Sequence, residues 1–179
     1  FLAEESGARA GDEHVWIIDP LDGTLNFLHG FPQFAVSIAL QINGRSEVGV
    51  VYDPMRQELF VAQRGDGAKL NDKRIRVSAR HGLKGALIGT GFAFRPDGDQ
   101  ERYLAVFAEF CRRTAGLRTP GAAALDLCYV AAGRLDGFFE FGLSPWDMAA
   151  GALIAREAGA IVADADGSEQ FLTSGNIVI

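Results

Sequence analysis

The stretch WIIDPLDGTLNF, residues 16–27, places two carboxylates three positions apart where an apolar run meets a Pro/Gly turn. Residues 15–18 are β-branched and aromatic, which predicts a buried strand. Pro20 cannot donate to a strand ladder, so the ladder is expected to stop there. Asp19 and Asp22 are therefore expected at a strand end, where both carboxylates can face the same ligand.

The turn itself has the chemistry of a small ion site. Gly23 permits close approach of the backbone to a ligand, and Thr24 follows where a short helix could begin. Two carboxylates with a free carbonyl at Leu21 are hard oxygen ligands, which suit Mg²⁺ better than zinc. The alternative is a plain Asx-type turn, in which both aspartates only cap and solvate a loop.

A second alternative is the haloacid-dehalogenase type of phosphotransferase, whose nucleophile motif after a buried strand reads DxDGT. Here two residues, Pro20 and Leu21, separate the carboxylates, so the spacing differs by one. Pro20 also removes an amide donor. This class of enzyme is therefore disfavoured.

A second motif, SPWDMAAGALIAREAG, spans residues 144–159. Its apolar residues recur at helical spacing, which predicts an amphipathic helix; they are Trp146, Ala150, Leu153, Ile154 and Ala158. Asp147 lies at the start of this helix. Taken alone, Asp147 is an N-cap or first-turn acid that interacts with the helix dipole.

DPLDGT and WDMAAG, together with the acidic pair Glu4 and Glu5, resemble the inositol monophosphatase family of metal-dependent sugar phosphatases. The resemblance runs from AEES (residues 3–6) to GNIV (residues 175–178) and is similar to the bacterial, extragenic-suppressor branch. It implies a single α/β domain over residues 1–179, a layered α/β/α/β/α sandwich with mixed, largely antiparallel sheets. The chain opens at Phe1 inside a family motif, so the domain is expected to be incomplete at both ends, with N-terminal helices missing.

The resemblance also implies the metal site. The family's ligands correspond here to five groups: Glu4, Asp19, the Leu21 carbonyl, Asp22 and Asp147. Two or three Mg²⁺ per site would activate a water and neutralise the leaving oxygen. Glu4, Thr24 and Asp22 would be the catalytic residues, with Thr24 paired with Glu4 to orient the water. Glu5 would support the ligands from behind or lie on the surface.

Substrate contacts are implied in the same way. The phosphate would meet backbone amides at Gly23, Thr24, Gly121, Ala122 and Ala123, while Glu140 and Asp147 would lie against the rest of the ester. Position 122 is Ala where the family usually has Ser or Thr, so one hydroxyl contact is missing and altered substrate binding is expected. The alternative role for Glu140 is an edge-strand charge that prevents aggregation.

Composition narrows the class of protein. The chain has 179 residues, 48% of them hydrophobic, and a formal net charge of −6, which disfavours a nucleic-acid surface. Cys111 and Cys128 are too few for a disulfide scaffold, and no run of 18 or more apolar residues or signal peptide is found. A cytoplasmic protein without direct membrane or nucleic-acid binding is expected.

The remaining pattern predicts alternating strands and helices. Strands are expected at residues 34–42, 47–52 and 58–62 as an antiparallel meander, at 86–91, 135–141 and 161–164, with short extended pieces over 65–77. Helices are expected over 99–114 after a break at 95–98, and over 121–132. Asn43-Gly44 and Asp53-Pro54 are turn signals between strands.

The expected function is a Mg²⁺-dependent phosphomonoesterase that hydrolyses inositol 1-phosphate or a related polyol phosphate. By resemblance it would be lithium-sensitive and a homodimer. The alternatives are a fructose-1,6-bisphosphatase-like or nucleotide 3′-phosphatase of the same superfamily, and a binding protein with vestigial activity whose partners are transcription factors. The phosphatases share the acid motifs, so the sequence does not separate them. The intact acids at all four ligand positions favour an enzyme over a purely binding protein, because clustered like charges repel without a cation.

Overall fold

The computed structural model describes residues 1–5, 7–8, 13–92 and 100–179 of the chain. Twelve strands are found in these ranges, in chain order β1 Leu2–Ala3, β2 Gly7–Ala8, β3 His14–Asp22, β4 Ala35–Ile42, β5 Arg45–Asp53, β6 Glu58–Gln63, β7 Gly67–Leu70, β8 Lys73–Arg74, β9 Leu87–Thr90, β10 Gly116–Arg118, β11 Gly137–Glu140 and β12 Ile177–Val178. The helices of the same ranges are α1 Thr24–Leu28, α2 Gln100–Arg113, α3 Ala123–Ala131, α4 Pro145–Glu157 and α5 Phe171–Ser174. The predicted break at 95–98 lies outside the described residues.

Two mixed sheets organise the fold. The larger sheet has the order β2-β1-β3-β4-β5-β6-β7-β8, and every pair in it is antiparallel except β1 with β3. The smaller sheet has the order β10-β9-β11-β12, with parallel pairs around β9 and an antiparallel β12. The predicted α/β class with mixed sheets is therefore confirmed.

The described elements form four layers. Helices α3 and α4 pack on each other between the two sheets, with α4 against β4 and β5, and α3 near β9 and β11. Helix α2 covers the other side of the smaller sheet through a cluster that includes Tyr103, Phe110 and Phe139. The order is thus sheet, helices, sheet, helix. It matches the expected sandwich from its second layer onward.

The meander β4–β6 forms as its turn signals predicted. Asn43 and Gly44 have φ values of 51° and 77°, the left-handed pair that a tight type I′ hairpin needs. Inward residues of β4 and β5, such as Ala39 and Val51, are buried, and the residues between them point to the opposite face. The alternation fixes which face of the sheet carries the core.

The outer face of the larger sheet is apolar. Its side chains are half-buried or exposed, and they are Trp16, Ile18, Val36, Ile38, Leu40, Val48, Val50, Tyr52, Leu59 and Val61. Trp16 is 47% exposed and Leu59 40% exposed. We refer to this surface as the outer face.

Three predictions about strands were wrong. Strand β3 does not stop at Pro20: the register shifts between Asp19 and Asp22, and pairing resumes at Asp22 with Ala35. The bulge lets the strand bypass the proline, whose missing N–H then breaks no ladder bond. Strand β3 is also not buried on both faces, because its exposure alternates. The strand expected at 161–164 is a single bridge from Ala163 to Val178.

Helix α4 is not amphipathic. Every residue from Met148 to Ala155 is buried, because the helix lies between the larger sheet and α3. Small residues set its distance to both: a Cβ on Gly49 would lie 2.8 Å from the Ala150 carbonyl oxygen, and one on Gly151 would lie 2.7 Å from the Leu127 Cβ. The middle of α4 therefore packs closely against both the larger sheet and α3.

None of the helices in the described part of the chain combines the length and the apolar character that a bilayer crossing needs.

Candidate metal centre

Three aspartates from two distant segments meet at one point. Asp19 and Asp22 lie at the end of β3, and Asp147 lies in the first turn of α4. One carboxylate oxygen from each of the three lies within 4.8 Å of the others. Asp19 and Asp22 are buried, and Asp147 is half-buried.

The bulge in β3 orients the first two acids. The Leu21 amide donates to Asp19 Oδ1 at 2.9 Å, so the carboxylate folds back over the bulge. The Ala124 amide, in the first turn of α3, donates to Asp22 Oδ2 at 2.9 Å. Each carboxylate is thus anchored by one backbone amide, which also favours its charged form.

Asp147 both caps the start of α4 and places its carboxylate beside the β3 acids. It is the third residue of α4, and the Ser144 amide donates to its Oδ2 at 2.7 Å, as in a capping box. The Ser37 hydroxyl donates to the Trp146 carbonyl at 3.2 Å and ties this helix start to β4. The first-turn role expected for Asp147 is therefore present, and the same anchoring directs it to the β3 acids.

Glu4 reaches the cluster from β1. Its amide donates to the Ile18 carbonyl at 3.3 Å, and its side chain is a hydrogen-bond partner of the Asp19 carboxyl. Glu4 is exposed and is not one of the three acids that share the 4.8 Å group. Glu5 is exposed too.

The Leu21 carbonyl, a predicted metal ligand, accepts one hydrogen bond and keeps a second lone pair for a cation. The Thr24 hydroxyl donates to it at 2.9 Å across the turn. Because a hydroxyl has one proton, Thr24 faces other partners as an acceptor in this arrangement. The predicted pairing of Thr24 with Glu4 stays a prediction.

The segments expected to hold phosphate lie side by side. A Cβ on Gly23 would lie 3.3 Å from the Ala122 Cβ and 3.3 Å from the Gly121 carbonyl oxygen, so the turn after β3 touches the loop before α3. Ala122 is the N-cap of α3 and is 1% exposed, and Ala123 begins the helix. The first amides of a helix have no acceptor within it. Two of the predicted segments are therefore brought next to Asp22.

Glu140 ends β11 and lies near the cluster. Its carboxylate packs against Gly91, where a Cβ would collide with it. Burial and the negative charge of Asp147 raise the pKa of Glu140 from 4.5 to about 8. The alternative of an edge-strand charge does not fit, because Glu140 is half-buried and β11 pairs with a strand on each side.

The electrostatics of the site are one-sided. Burial raises the pKa of Asp19 from 3.8 to about 7, with the charges of Glu4 and Asp147 adding to it. Burial and the charges of Asp19 and Asp147 also raise the pKa of Asp22 well above its usual range. Every charged neighbour that shifts these pKa values and that of Glu140 is an acid. The site therefore has a deficit of positive charge.

Two residues of this region were missed from the sequence. Asp126 on α3 is 1% exposed, and its Oδ1 has no hydrogen-bond partner among the described residues. Burial, then the charges of Glu140 and Asp22, raise its pKa well above the usual range. A lone acid in the apolar run AALDLCYVAA was the available signal. The second is Asn26, whose side-chain amide contacts the loop before α3.

A divalent cation fits this donor set. Asp19, Asp22 and Asp147 offer hard oxygen ligands, and clustered carboxylates without a cation repel one another. With Glu4 beside Asp19, these residues would hold Mg²⁺, which would offset the repulsion.

The raised pKa of Asp19 predicts how stability depends on pH. A carboxyl whose pKa is higher in the folded than in the unfolded chain favours folding most while it is protonated, and this stabilisation is lost as pH rises from about 4 toward about 7. Without divalent cations, the thermal midpoint should therefore fall across this window. Mg²⁺ should raise the midpoint by more at pH 8 than at pH 5, because binding needs the charged carboxylates.

Differential scanning fluorimetry with EDTA or MgCl₂ at both pH values measures this difference. Asp19→Asn is the control, since it removes the titrating group and should reduce the pH dependence of the Mg²⁺ effect. An equal gain from Mg²⁺ at pH 5 and pH 8 would contradict the assignment.

The sequence is similar to a known family of proteins over its whole length. The model of the inositol monophosphatase family matches residues 1–179. The Nus factor SuhB of Pseudomonas aeruginosa is 58% identical over 174 residues, which cover 96% of this chain and 64% of that protein. The chain thus spans slightly less than two thirds of that relative's length.

Solved structures agree with the sequence match. The extragenic suppressor protein SuhB of Bartonella henselae superposes with a TM-score of 0.95 at 50% identity, covering 99% of this chain and 69% of that one. The Staphylococcus aureus inositol monophosphatase II, solved with inositol monophosphate bound, has a TM-score of 0.87 at 31% identity, with 99% and 69% covered. With motifs, fold and acid cluster in agreement, this chain belongs to the inositol monophosphatase family.

Proposed function

We propose that this protein is a Mg²⁺-dependent phosphomonoesterase that hydrolyses inositol 1-phosphate or a related polyol phosphate. The observation that carries the proposal is the meeting of Asp19, Asp22 and Asp147 within 4.8 Å in a site whose charged neighbours are acids. Such a cluster favours cations, and the cations in turn favour a phosphate ester. Family membership supports a phosphatase in general.

Each residue of the site has a task in this proposal. Asp19, Asp22 and Asp147 hold Mg²⁺, with Glu4 beside them. Bound Mg²⁺ supplies a water of lowered pKa and neutralises charge on the ester oxygens. The Thr24 hydroxyl donates its hydrogen bond to the Leu21 carbonyl. It therefore orients the attacking water by accepting a hydrogen bond from that water.

The phosphate and the alcohol of the ester meet different surfaces. Backbone amides at Gly23, Thr24, Gly121, Ala122 and Ala123 face the phosphate, so the contact needs no positively charged side chain. Half-buried Glu140 binds hydroxyl groups of the polyol. Its pKa of about 8 means that at neutral pH, without a cation, this carboxyl is largely protonated and can also donate.

The test is phosphate release by the purified protein from inositol 1-phosphate. We expect turnover that requires Mg²⁺, disappears with EDTA and returns when Mg²⁺ is restored, because the proposed mechanism depends on Mg²⁺ bound by the acid cluster. Fructose 1,6-bisphosphate and a nucleoside 3′-phosphate in the same assay separate the two alternative phosphatases. The same assay is repeated with added lithium, which is expected to inhibit phosphate release. Absence of Mg²⁺-dependent release from all three esters would refute the proposal.

A second candidate function is participation in a transcription complex. It is favoured by the Pseudomonas relative, which is named a Nus factor. The net charge of −6 favours a protein partner over direct contact with nucleic acid. A pulldown with purified transcription factors, run on the wild type and on Asp147→Asn, separates the two functions. Binding that is unchanged in the inactive variant would show a role independent of catalysis.

A further inference from the structure

Asn26, on the short helix α1, donates its side-chain amide to three backbone carbonyls. Asn26 Nδ2 lies 2.8 Å from the Gln33 oxygen, 2.8 Å from the Pro120 oxygen and 3.2 Å from the Gly121 oxygen. Two amide protons are thus shared among three acceptors. The reverse amide orientation would set Oδ1 against the same three oxygens, so the hydrogen-bond network determines which atom is nitrogen.

The three carbonyls belong to two segments that are far apart in the chain. Gln33 follows α1 and precedes β4, whereas Pro120 and Gly121 precede α3. The segments are also in direct contact, since a Cβ on Gly23 would lie 2.8 Å from the Gln33 oxygen and 3.3 Å from the Gly121 oxygen. Asn26 therefore joins the turn that carries Asp22 to the loop that begins α3.

Carbonyl oxygens that point to one place repel each other unless a donor lies between them. Gly121 has a φ of +83°, a left-handed conformation that glycine adopts without strain. A Cβ on Gly121 would lie 3.1 Å from Asn26 Nδ2, so the asparagine packs closely on this peptide. Without the Asn26 amide, the carbonyls would move apart and the start of α3 would shift relative to Asp22.

We propose that Asn26 is a positioning residue for the phosphate ester. It fixes peptides 120–122 so that the first amides of α3 stand beside the acid cluster. The proposal rests on the proposed phosphatase function, and it assigns Asn26 to binding of the phosphate and not to binding of the metal.

The test variant is Asn26→Ala. The KM for inositol 1-phosphate and the inhibition constant of inorganic phosphate should rise together by about tenfold or more, since misplaced contacts weaken binding of substrate and product alike. The Mg²⁺ concentration that half-saturates thermal stabilisation should change by less than KM does, because Asn26 bonds none of the three aspartates directly and reaches Asp22 only through the start of α3. Asn26→Ser keeps one small hydrogen-bond donor, so its KM should lie between those of wild type and Asn26→Ala.

Asn71→Ala is the matched control. Asn71 also holds a turn, with Nδ2 donating to the Gln57 carbonyl at 3.1 Å and Oδ1 accepting from the Leu59 amide at 2.8 Å, but it follows β7 near the far edge of the larger sheet. It should lower the thermal midpoint and leave KM unchanged. A rise in KM in Asn71→Ala equal to that in Asn26→Ala would overturn the proposal, as would wild-type KM and phosphate inhibition in Asn26→Ala.

A second readout separates this proposal from the proposed function. Calorimetric titration of inorganic phosphate into the Mg²⁺-loaded protein needs no turnover. Weaker phosphate binding in Asn26→Ala supports the positioning role even if no ester is hydrolysed. Equal binding in variant and wild type refutes that role even if the wild type is an active phosphatase.

Discussion

Asp147→Asn is expected to lower Mg²⁺-dependent phosphate release by more than about a hundredfold, since removing a group that merely supports a metal ligand already costs about 10–100-fold. The fold should survive, because the asparagine Oδ1 can still accept the Ser144 amide that now donates to Asp147 at 2.7 Å. Stability without Mg²⁺ should be equal to or above that of wild type. The substitution removes a charge that acts on Asp19, Asp22 and Glu140.

Activity should thus fall while stability does not, which a general disruption of the fold would not produce. Steady-state kinetics and thermal melts with EDTA measure the two. Asp53→Asn is the matched control: Asp53 is fully buried, accepts from the Met55 and Arg56 amides and pairs with the Arg56 guanidinium at 2.8 Å. It should lower the melting temperature and leave turnover near wild type. Near-wild-type turnover in Asp147→Asn would remove the metal assignment.

Gly23→Ala is expected to damage both the site and the fold. Gly23 has a φ of +85°, so any side chain strains the backbone by about 1 kcal/mol. The added Cβ would also lie 2.8 Å from the Gln33 oxygen, which is backbone and cannot rotate away. The turn after β3 and the loop before α3 must then separate. We expect a loss of turnover of about a hundredfold, because misplacement by about 1 Å is sufficient for that.

Gly30→Ala isolates the steric part of this effect. Gly30 has a φ of +69°, but a Cβ there would meet nothing within 4 Å. Both variants therefore carry backbone strain, and only Gly23→Ala forces the loops apart. Turnover and thermal midpoint of the two variants should be compared side by side. If Gly30→Ala loses as much turnover as Gly23→Ala, contact between the loops is not what the site depends on.

The local pattern was sufficient for the meander and for the position of Asp147. Asn43-Gly44 determines its hairpin through positive φ values, and the capping arrangement at the start of α4 depends on residues 144–147 alone. Periodicity failed for α4 because a helix buried on every side has no polar face to reveal, and the apolar spacing of Trp146 and Leu153 imitates an amphipathic stripe.

The misses at the site have a tertiary cause. Whether Asp126 is buried beside Glu140 depends on how α3 packs on the smaller sheet, which no local pattern contains. Asn26 is a distant partner of Pro120, and its role exists only once the two loops touch. Pro20 was predicted to end a strand, but a register shift in the pairing with β4 lets the strand continue. In each case the sequence shows which chemical group is present, but it does not show which distant residues lie beside that group.

The outer face has a spectroscopic consequence. Trp16 stands on it with 47% of its surface exposed, whereas Trp146 is half-buried at the start of α4. In these 179 residues the Trp16 indole is therefore partly wetted and should emit toward the red. A polypeptide that binds to the outer face would shield this indole from water and shift its fluorescence emission to the blue. The native fluorescence of Trp16 therefore reports whether this apolar surface is covered, without an added label.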